Sequence, residues 1–437
     1  KIYIIYIKSL QKDLKPMIDK NYSKIVMKFG GTSMADIEKI SKVADHVERE
    51  FKNGKKVAVV VSAMSGETDR LINLVNAIGP VDKSERDAVI SSGEQVSSAL
   101  LALTLKARNI PATSVQGWQI PLRTNKMHGS ARILDVKSKY LDQLITKNEI
   151  PIIAGFQGIT EENRISTFGR GGSDTTAVAI ACSLKADLCD IYTDVDGVYT
   201  SDPRIVEFAQ KISKISFEEM LEMASQGAKV LQTRSVELAM SYNMPIRVRS
   251  TFAENNFEKK NKTINIGTIV TNEDNILEDK VVSGIAYSKN EAKITIQNLD
   301  DKPGVAAQIF GNLAKEGVNV DMIVQNISAD GKHTDLTFTI QETELKNAKS
   351  ILDNLKSQIN FHKLIESKDI AKVSVIGVGM RSHAGVAAEM FSTLAEKGIN
   401  IQAITTSEIK VSVIIDSQYI ELAMRALHSA YGLDKKK

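Results

Sequence analysis

The stretch Lys24–Ser33, "KIVMKFGGTS", begins as an apolar run and ends in two glycines and two hydroxyl residues. Its first six residues are typical of a buried strand, and a helical pattern follows over 35–52. The alternation continues with the apolar runs "KKVAVVVSA", "EIPIIAGFQGI", "ADLCDIYTDV" and "MPIRVRS", and with helical patterns over 85–107, 131–147 and 173–185. Such alternation predicts an α/β domain whose largely parallel sheet is covered on both faces.

Beyond a polar run at 251–263, interpreted as a linker or surface hairpin, the chain repeats itself. The segment 304–323, "GVAAQIFGNLAKEGVNVDMI", aligns without gaps with 385–404, "GVAAEMFSTLAEKGINIQAI", and ten of the twenty positions are identical. Each copy follows a strand, forms a helix and returns into another strand, which predicts two small βαββαβ modules. Modules of this kind tend to pair, either only to hold a dimer together or to form an interface that a small molecule alters.

Composition excludes several classes of protein. The 437 residues are 43% hydrophobic and 25% charged, with a net charge of +3 and both signs mixed along the chain, so nothing favours nucleic-acid binding. No apolar run approaches the roughly 20 residues of a membrane span. Cys182 and Cys189 are interpreted as reduced core thiols, and the cytoplasm is the expected location. Residues 1–23 are interpreted as an N-terminal extension without an assigned function.

The glycines at the end of the first strand predict an anion site. Lys28 precedes Gly30 and Gly31, whose freed amides open a helix, and a lysine beside such amides suits a phosphate. The order of lysine and glycines differs from that of a Walker loop. A plain strand-to-helix turn is the alternative interpretation of this motif.

A second glycine-rich run, "FGRGGSDTTA" (168–177), combines opposite charges. Arg170 lies among three glycines, and Asp174 follows four residues later. A site for phosphate alone would not need the acid, whereas an amino acid carries both an ammonium and a carboxylate. Further polar clusters, each explicable alone as solvated surface or turn chemistry, are "VSAMSGETDR" (61–70), "SSGEQ" (91–95), "YTDVDGVYTSDPR" (192–204) and "GAKVLQTRS" (227–235).

These motifs, in this order and followed by the duplicated module, closely resemble the aspartate kinase family. The resemblance runs from about Lys24 to the C-terminus. It implies an amino-acid-kinase catalytic domain at 24–270 and two ferredoxin-like ACT domains, the first at 291–368 and the second formed by 280–290 together with 369–437. It also implies transfer of the γ-phosphoryl group of ATP, with Mg²⁺, to the β-carboxylate of L-aspartate, the first step of lysine, threonine and methionine biosynthesis.

The resemblance assigns roles to individual residues. The positions it implies for catalysis are Lys28, Gly30, Gly31 and Asp174. Those it implies for aspartate are Ser62, Thr68, Glu94, Arg170, Ser173 and Asp174, which physically suit a zwitterion because Arg170 can bind a carboxylate and the acids can accept from an ammonium. Those it implies for the nucleotide are Lys28, Gly31, Thr193, Asp194, Tyr199, Arg204 and Lys229.

One departure concerns the lysine motif, which many family members continue with His-Pro. Here Leu231 is followed by Gln232 and Thr233, so no histidine role applies at this point, while Lys229 is retained. The six histidines form no cluster of metal-ligand spacing, and no structural metal is expected.

The resemblance further implies a homodimer, or a dimer of dimers, formed through the ACT domains and inhibited by lysine, threonine or both. The implied effector contacts are Asp321, Gln325, Asn326, Ser382, Thr405, Thr406, Ser407 and Glu408, although turn chemistry is an equal alternative for each. Two further alternatives concern the whole chain: a kinase for glutamate or an N-acyl amino acid, and a non-catalytic amino-acid sensor.

Overall fold

The computed structural model describes residues 22–79, 82–227, 230–253, 267–275, 281–327 and 332–434. The contacts divide these residues into two units. The first comprises 22–198, 211–224 and 230–275, and the second comprises 199–210, 225–227 and 281–434. Most of the predicted N-terminal extension and of the predicted linker at 251–263 lies outside the described residues.

The first unit is built from strands and helices in alternation. Its strands are β1 (Lys24–Phe29), β2 (Lys56–Val61), β3 (Ala112–Val115), β4 (Leu122–Thr124), β5 (Ile133–Val136), β6 (Ile150–Ala154), β7 (Gln157–Ile159), β8 (Ile165–Thr167), β9 (Leu188–Thr193), β10 (Lys214–Ser216), β11 (Ile246–Ser250) and β12 (Thr268–Thr271). Its helices are α1 (Ile37–Lys52), α2 (Glu67–Ile78), α3 (Lys83–Ile90), α4 (Ser92–Ala107), α5 (Lys139–Thr146), α6 (Gly172–Ser183), α7 (Phe217–Ser225) and α8 (Thr233–Ser241).

Eight of these strands form the main sheet, in the order β10-β12-β11-β9-β1-β2-β6-β3. The pairs around β1 are parallel, as the apolar strands predict, and the β11–β12 pair is antiparallel. A second sheet has the order β5-β4-β7-β8. The helix expected over 131–147 is wrong in its first half, which is β5. The helix expected over 85–107 divides into α3 and α4 at Ser91, and the strand expected over 149–159 divides into β6 and β7.

The alternation of side chains along β1 places its two faces in different surroundings. Met27 and Phe29 belong to a core cluster with residues of α1 and α4. Lys28 points to the opposite face, where the N-terminal turn of α6 lies against it. Because helices cover β1 on both faces, Lys28 is buried, and its charge needs a partner.

One helical stretch, 83–107, reaches the length and apolar composition of a membrane span. In the structure it is two helices, and Leu101, Ala102 and Leu105 of α4 pack in the core of the first unit. Packing of this kind is typical of a core helix. Cys182 and Cys189 are free thiols, and burial raises the pKa of Cys182 to about 11.

The second unit contains one six-stranded sheet in the order β14-β15-β13-β16-β18-β17. Its strands are β13 (Gly284–Asp300), β14 (Val320–Ile327), β15 (His333–Gln341), β16 (Lys363–Ile376), β17 (Ala403–Thr406) and β18 (Lys410–Asp416). Its helices are α9 (Val305–Lys315), α10 (Leu345–Leu355), α11 (Val386–Glu396) and α12 (Ile420–Ala430).

Two long strands, β13 and β16, run through both repeats of this unit. The residues 284–288 of β13 pair with 372–376 of β16, and 293–297 of β13 pair with 363–367. Each half has its own core, one around Phe338 with α9 and α10, the other around Val413 with α11 and α12. The second repeat is therefore completed by residues that precede the first.

A segment from the middle of the predicted catalytic domain belongs to the second unit. Tyr199–Gln210 contributes Val206 to the core of the second repeat, and Thr200 Oγ1 lies 2.9 Å from Nε2 of the buried His428. This segment lies inside the interval 24–270 that was expected for the catalytic domain, but its contacts group it with the second unit.

Candidate active site

A cavity of about 490 Å³ opens at the carboxyl ends of the central parallel strands of the first unit. Between β1 and β9 the strand order reverses, because the chain first adds β2, β3 and β6 on one side of β1 and then β9 on the other. Open α/β sheets bind ligands at such a switch point. The predicted residues that line the cavity are Lys28, Gly30, Gly31, Ser62, Thr68, Glu94, Arg170, Ser173, Asp174, Thr193 and Asp194. Motifs from five separate parts of the sequence therefore meet at one place.

Lys28 and Asp174 form an ion pair on the floor of the cavity. The Lys28 ammonium lies 2.6 Å from Asp174 Oδ1, and both side chains are about one-tenth exposed. Asp174 reaches Lys28 from the first turn of α6, which begins at Gly172 without a side-chain cap. A buried pair of this kind fixes the position of the lysine, since leaving either partner unpaired in a buried site is costly.

The glycines around this pair permit close approach of the backbone. A Cβ on Gly31 would lie 3.2 Å from the carbonyl oxygen of Ala63, and one on Gly155 would lie 2.8 Å from Ser173 Oγ. Gly171 has a φ of 71°, and its Cβ would lie 1.8 Å from Cγ of Gln232. The first turn of α6 and the turn after β1 can therefore lie against their neighbours only without side chains at these positions.

Glu94 is the second buried acid of the cavity. Burial raises the pKa of its carboxyl to about 8, and the backbone amides of Ala63 and Glu94 only partly oppose that effect. Of the two carboxyl oxygens of Glu94, Oε2 is buried and has no hydrogen-bond partner among the residues that the structure describes. Gly93 makes this location possible, because a Cβ there would lie 2.8 Å from that of Ala63. A cation that entered the cavity beside Glu94 would stabilise the ionised form.

Arg170 supplies a positive charge to the cavity. It is exposed at the rim, on the turn between β8 and α6, and in the described part of the chain its guanidinium makes no hydrogen bond or ion pair. It is therefore available for a ligand anion. Together with Glu94 it gives the cavity one group for a carboxylate and one for an ammonium.

The residues predicted for the nucleotide are only partly assembled. Thr193 and Asp194, at the end of β9, line the cavity, and Thr193 Oγ1 donates to the Asp194 carboxylate at 3.0 Å. Tyr199 and Arg204 belong to the second unit and are not among the lining residues, and Arg204 binds Asp202 through Nε (3.0 Å) and Nη2 (2.7 Å). Lys229 lies outside the described residues.

Phe156 and Gln232 line the cavity but were not predicted from the sequence. Phe156 has a φ of 69°, a strained conformation for a bulky residue, and its amide donates to Thr176 Oγ1 at 3.1 Å. The side chain of Gln232 lies against Gly171. Phe156 lies inside the strand predicted over 149–159, and Gln232 lies in the polar run 227–235, but neither residue was assigned to the site from the sequence.

Comparison with known proteins agrees with the motifs. Residues 23–250 match the model of the amino acid kinase family, and 294–354 and 373–431 match the model of an ACT domain. The aspartate kinase of Pseudomonas fluorescens SBW25 is 50% identical over 415 residues, which cover 94% of this chain and 98% of that relative. The chain belongs to the aspartate kinase family. The predicted fold class, kinase activity and ACT domains of this aspartate kinase are thereby confirmed.

Solved structures give the same result. E. coli aspartokinase III in complex with aspartate and ADP, in the R-state, superposes with a TM-score of 0.76 at 25% identity, covering 93% of this chain and 99% of that one. The complex of the same enzyme with lysine and aspartate, in the T-state, gives a TM-score of 0.72 at 26% identity, covering 94% and 100%. Both complexes of that enzyme therefore share the fold of this chain.

The residues predicted for the effector of this aspartate kinase are dispersed in the second unit. Gln325 lines a cavity of about 470 Å³ at the start of α9, beside the turn 301–304. Asp321 pairs with Lys372, and Glu408 lies 3.4 Å from Nε of Arg381. The remaining five positions, which are partly or fully exposed, are Asn326, Ser382, Thr405, Thr406 and Ser407.

Proposed function

We propose that this chain transfers the γ-phosphoryl group of ATP to the β-carboxylate of L-aspartate, giving L-aspartyl-4-phosphate. The observation that carries the proposal is the charge arrangement of one cavity: a buried Lys28–Asp174 pair between a free Arg170 and an unpartnered Glu94. A free amino acid with an anionic side chain matches all of these groups. The family of the chain supports the same substrate.

In this proposal the two ends of aspartate bind different groups. Arg170 binds the α-carboxylate, and Glu94 accepts from the α-ammonium through its unpartnered oxygen. Asp174 holds Lys28 as well as lying close to the substrate, which gives it a positioning role beside the binding role predicted from the sequence. Ser62, Thr68 and Ser173 complete the polar wall.

The transfer itself needs no general base. The β-carboxylate of aspartate has a reference pKa near ~3.9 and is already ionised at neutral pH. One of its oxygens forms a bond to the γ-phosphorus while the bond to the β,γ-bridging oxygen breaks, and the electron pair leaves with ADP. The barrier comes largely from repulsion between anions. Fixed positive charge and positioning of the reactants therefore lower it. Lys28 and the amide of Gly31 supply these in this chain. The amide of Gly30, which the sequence also suggested, instead donates to the carbonyl oxygen of Tyr192 at 3.2 Å.

The nucleotide is assigned to the β9 side of the cavity, where Thr193 and Asp194 lie. Lys229 remains a candidate phosphate contact because of its sequence motif alone. Among the described residues no group of three or more His, Cys, Asp or Glu is placed to hold a metal. This fits Mg²⁺ that is held mainly by phosphates and water, with Asp194 as the nearest candidate carboxylate, and that neutralises phosphate charge.

The second unit is assigned to regulation in the cytoplasm, by lysine, threonine or both, in a homodimer or a dimer of dimers. The cavity beside Gly304 supports this assignment, because a helix start with exposed amides and a neighbouring Lys302 suits the carboxylate of an amino acid. The lysine complex of E. coli aspartokinase III supports the same class of effector.

The substrate is tested by trapping the acyl phosphate as a hydroxamate, with aspartate, glutamate and N-acetylglutamate in parallel. We expect ATP-dependent product with aspartate only. Turnover of glutamate or N-acetylglutamate at a comparable rate would contradict the assignment of aspartate, and no turnover of any of the three would contradict an active kinase.

Lys28→Ala tests the source of positive charge. Loss of one preorganised group of this kind costs about 10²–10³ in kcat, and we expect a loss of that size with much less change in the dissociation constant of aspartate. Lys56→Ala, which removes an exposed lysine at the opposite end of β2, is the matched control. Steady-state kinetics that showed near-normal kcat for Lys28→Ala would refute this role.

A further inference from the structure

Asp87 is a fully buried carboxylate that lines no part of the active-site cavity. From α3 it accepts hydrogen bonds from the amide of Thr167 at 2.8 Å, from the hydroxyl of Thr167 at 2.7 Å and from the amide of Gly129 at 2.9 Å. Nδ1 of His128 lies 3.1 Å from the same carboxylate. A buried acid is costly unless its oxygens are satisfied in this way, so the geometry of its donors is tightly fixed.

The residue that Asp87 binds is close in sequence to Arg170. Thr167 is the last residue of β8, and only Phe168 and Gly169 separate it from Arg170. Gly169 and Gly171, on the two sides of Arg170, both have positive φ values, 75° and 71°. A turn between two such glycines has little conformational preference of its own, so the position of Arg170 depends on what holds the two ends of the turn.

The α6 end of the turn is held by the backbone. The amide of Gly172 donates to Gly169 at 3.0 Å, and the amide of Asp174 donates to Gly171 at 3.1 Å. At the β8 end, the amide of Phe168 donates to the carbonyl oxygen of Phe156 at 3.1 Å, and side chains add further hydrogen bonds. Asp87 is one of these side chains and acts through Thr167.

Arg234 of α8 is the second side chain at the β8 end. Its guanidinium donates to the carbonyl oxygen of Phe168 at 3.2 Å and to that of Ala131 at 2.6 Å, and lies 5.8 Å from the centre of the Phe168 ring. Asp87 and Arg234 therefore bridge the same two segments, 128–131 and 167–168, which are also joined by the amide of Ala131 on the carbonyl of Thr167.

We propose that Asp87 and Arg234 are positioning residues of the phosphoryl transfer: they fix the β8 end of the glycine-rich turn, and so direct Arg170 to the substrate carboxylate. The inference rests on the proposed function of Arg170. It assigns a role to two residues that the chemistry does not use directly and that bind the same end of the turn.

The test is a double-variant cycle read as kcat/KM for aspartate and, separately, for ATP. We expect Asp87→Ala and Arg234→Met each to lower kcat/KM for aspartate about tenfold, which is about 1.4 kcal/mol. The kcat/KM for ATP, measured at saturating aspartate, should change less than about twofold. Asp87→Asn keeps one acceptor oxygen and is expected to retain more activity than Asp87→Ala. Glu85→Gln, which neutralises an exposed acid on the same helix, is the matched control and should change neither constant.

The cycle is completed in an Arg170→Ala background. If Asp87 and Arg234 act through Arg170, their substitutions add little further loss there, because the two effects share one interaction. The inference is overturned by full additivity, by equal losses for ATP and aspartate, or by an unchanged constant for aspartate in a folded Asp87→Asn protein. An Arg170→Ala protein with unchanged kcat/KM for aspartate would overturn the proposed role of Arg170, and the inference with it. Impairment by Arg170→Ala without impairment by Asp87 or Arg234 variants would overturn the inference alone.

Discussion

At the scale of single residues, the cavity holds two acids in different states. Asp174 is paired with Lys28 at 2.6 Å, whereas no cation among the described residues pairs with the carboxyl of Glu94, whose pKa burial raises to about 8. At neutral pH Glu94 is therefore mostly protonated in the free protein. An ammonium that binds beside it favours the carboxylate, so the pKa of Glu94 falls and a proton leaves when the ligand binds.

This difference gives a prediction for the pH dependence of aspartate binding. Affinity should rise with pH from 6 toward about 8, the pKa of Glu94 in the free protein, because less work is then needed to ionise the acid. Titration calorimetry at pH 7 in two buffers of different ionisation enthalpy should show close to one proton released per aspartate bound.

The control for this prediction is Glu94→Gln, which keeps the shape of the side chain and cannot ionise. Proton release should disappear, and the affinity should become weak and independent of pH between 6 and 8. Equal proton release by the wild-type and Glu94→Gln proteins would show that another group titrates.

At the scale of elements, the first turn of α6 decides the geometry of the site. It brings Ser173 and Asp174 to the cavity, and it can do so because Gly171 and Gly155 leave room for its neighbours. The sequence predicted this helix over 173–185, close to the observed Gly172–Ser183, from its apolar residues and the preceding glycines. It could not predict that Gln232 would close on Gly171, because the two are distant in the chain.

Gly171→Ala tests that contact. Its Cβ would meet Gln232 and would also adopt a φ of 71°, so we expect a loss of stability of about 2–4 kcal/mol, from strain together with overpacking. Gly54→Ala is the control, since Gly54 has a φ of 81° with no atom within 4 Å of the added Cβ, and it should cost only the strain term.

Chemical denaturation of the two variants measures the difference. Adding Gln232→Ala to Gly171→Ala should recover part of the loss, because the side chain that obstructs the Cβ is shortened. Equal destabilisation by Gly171→Ala and Gly54→Ala would mean that the contact with Gln232 has no energetic weight.

At the scale of the whole molecule, the two repeats are one continuous sheet through β13 and β16. The sequence repeat predicted two modules, since helix and turn residues recur at a fixed offset. A repeat cannot indicate that two strands extend through both copies, because strand length in a sheet is set by the partners on either side. The association of Tyr199–Gln210 with the second unit is likewise a matter of long-range packing.

Feedback control is the prediction that belongs to this scale. Lysine, threonine or both should raise the KM for aspartate or lower kcat, because an effector that prefers a less active state shifts the population toward it. Activity that stays flat up to millimolar concentrations of both, singly and together, would refute feedback control.

Gln325→Ala tests the cavity beside α9. It should raise the effector concentration for half inhibition about tenfold while kcat without effector stays unchanged, because Gln325 lines that cavity only. Gln341→Ala, at the exposed end of β15, is the matched control. Unchanged inhibition of the Gln325 variant would show that the effector binds elsewhere.

The sequence by itself determined the fold class, the family and most of the residues of the cavity, because strand ends, glycines and paired charges are local patterns that recur in order along the chain. Only the tertiary structure decided which charges are paired. It joined Lys28 to Asp174 and left Oε2 of Glu94 without a hydrogen-bond partner among the described residues. The physical reason is that pairing and burial depend on distances of a few ångströms between segments far apart in the chain, and no local pattern carries that information.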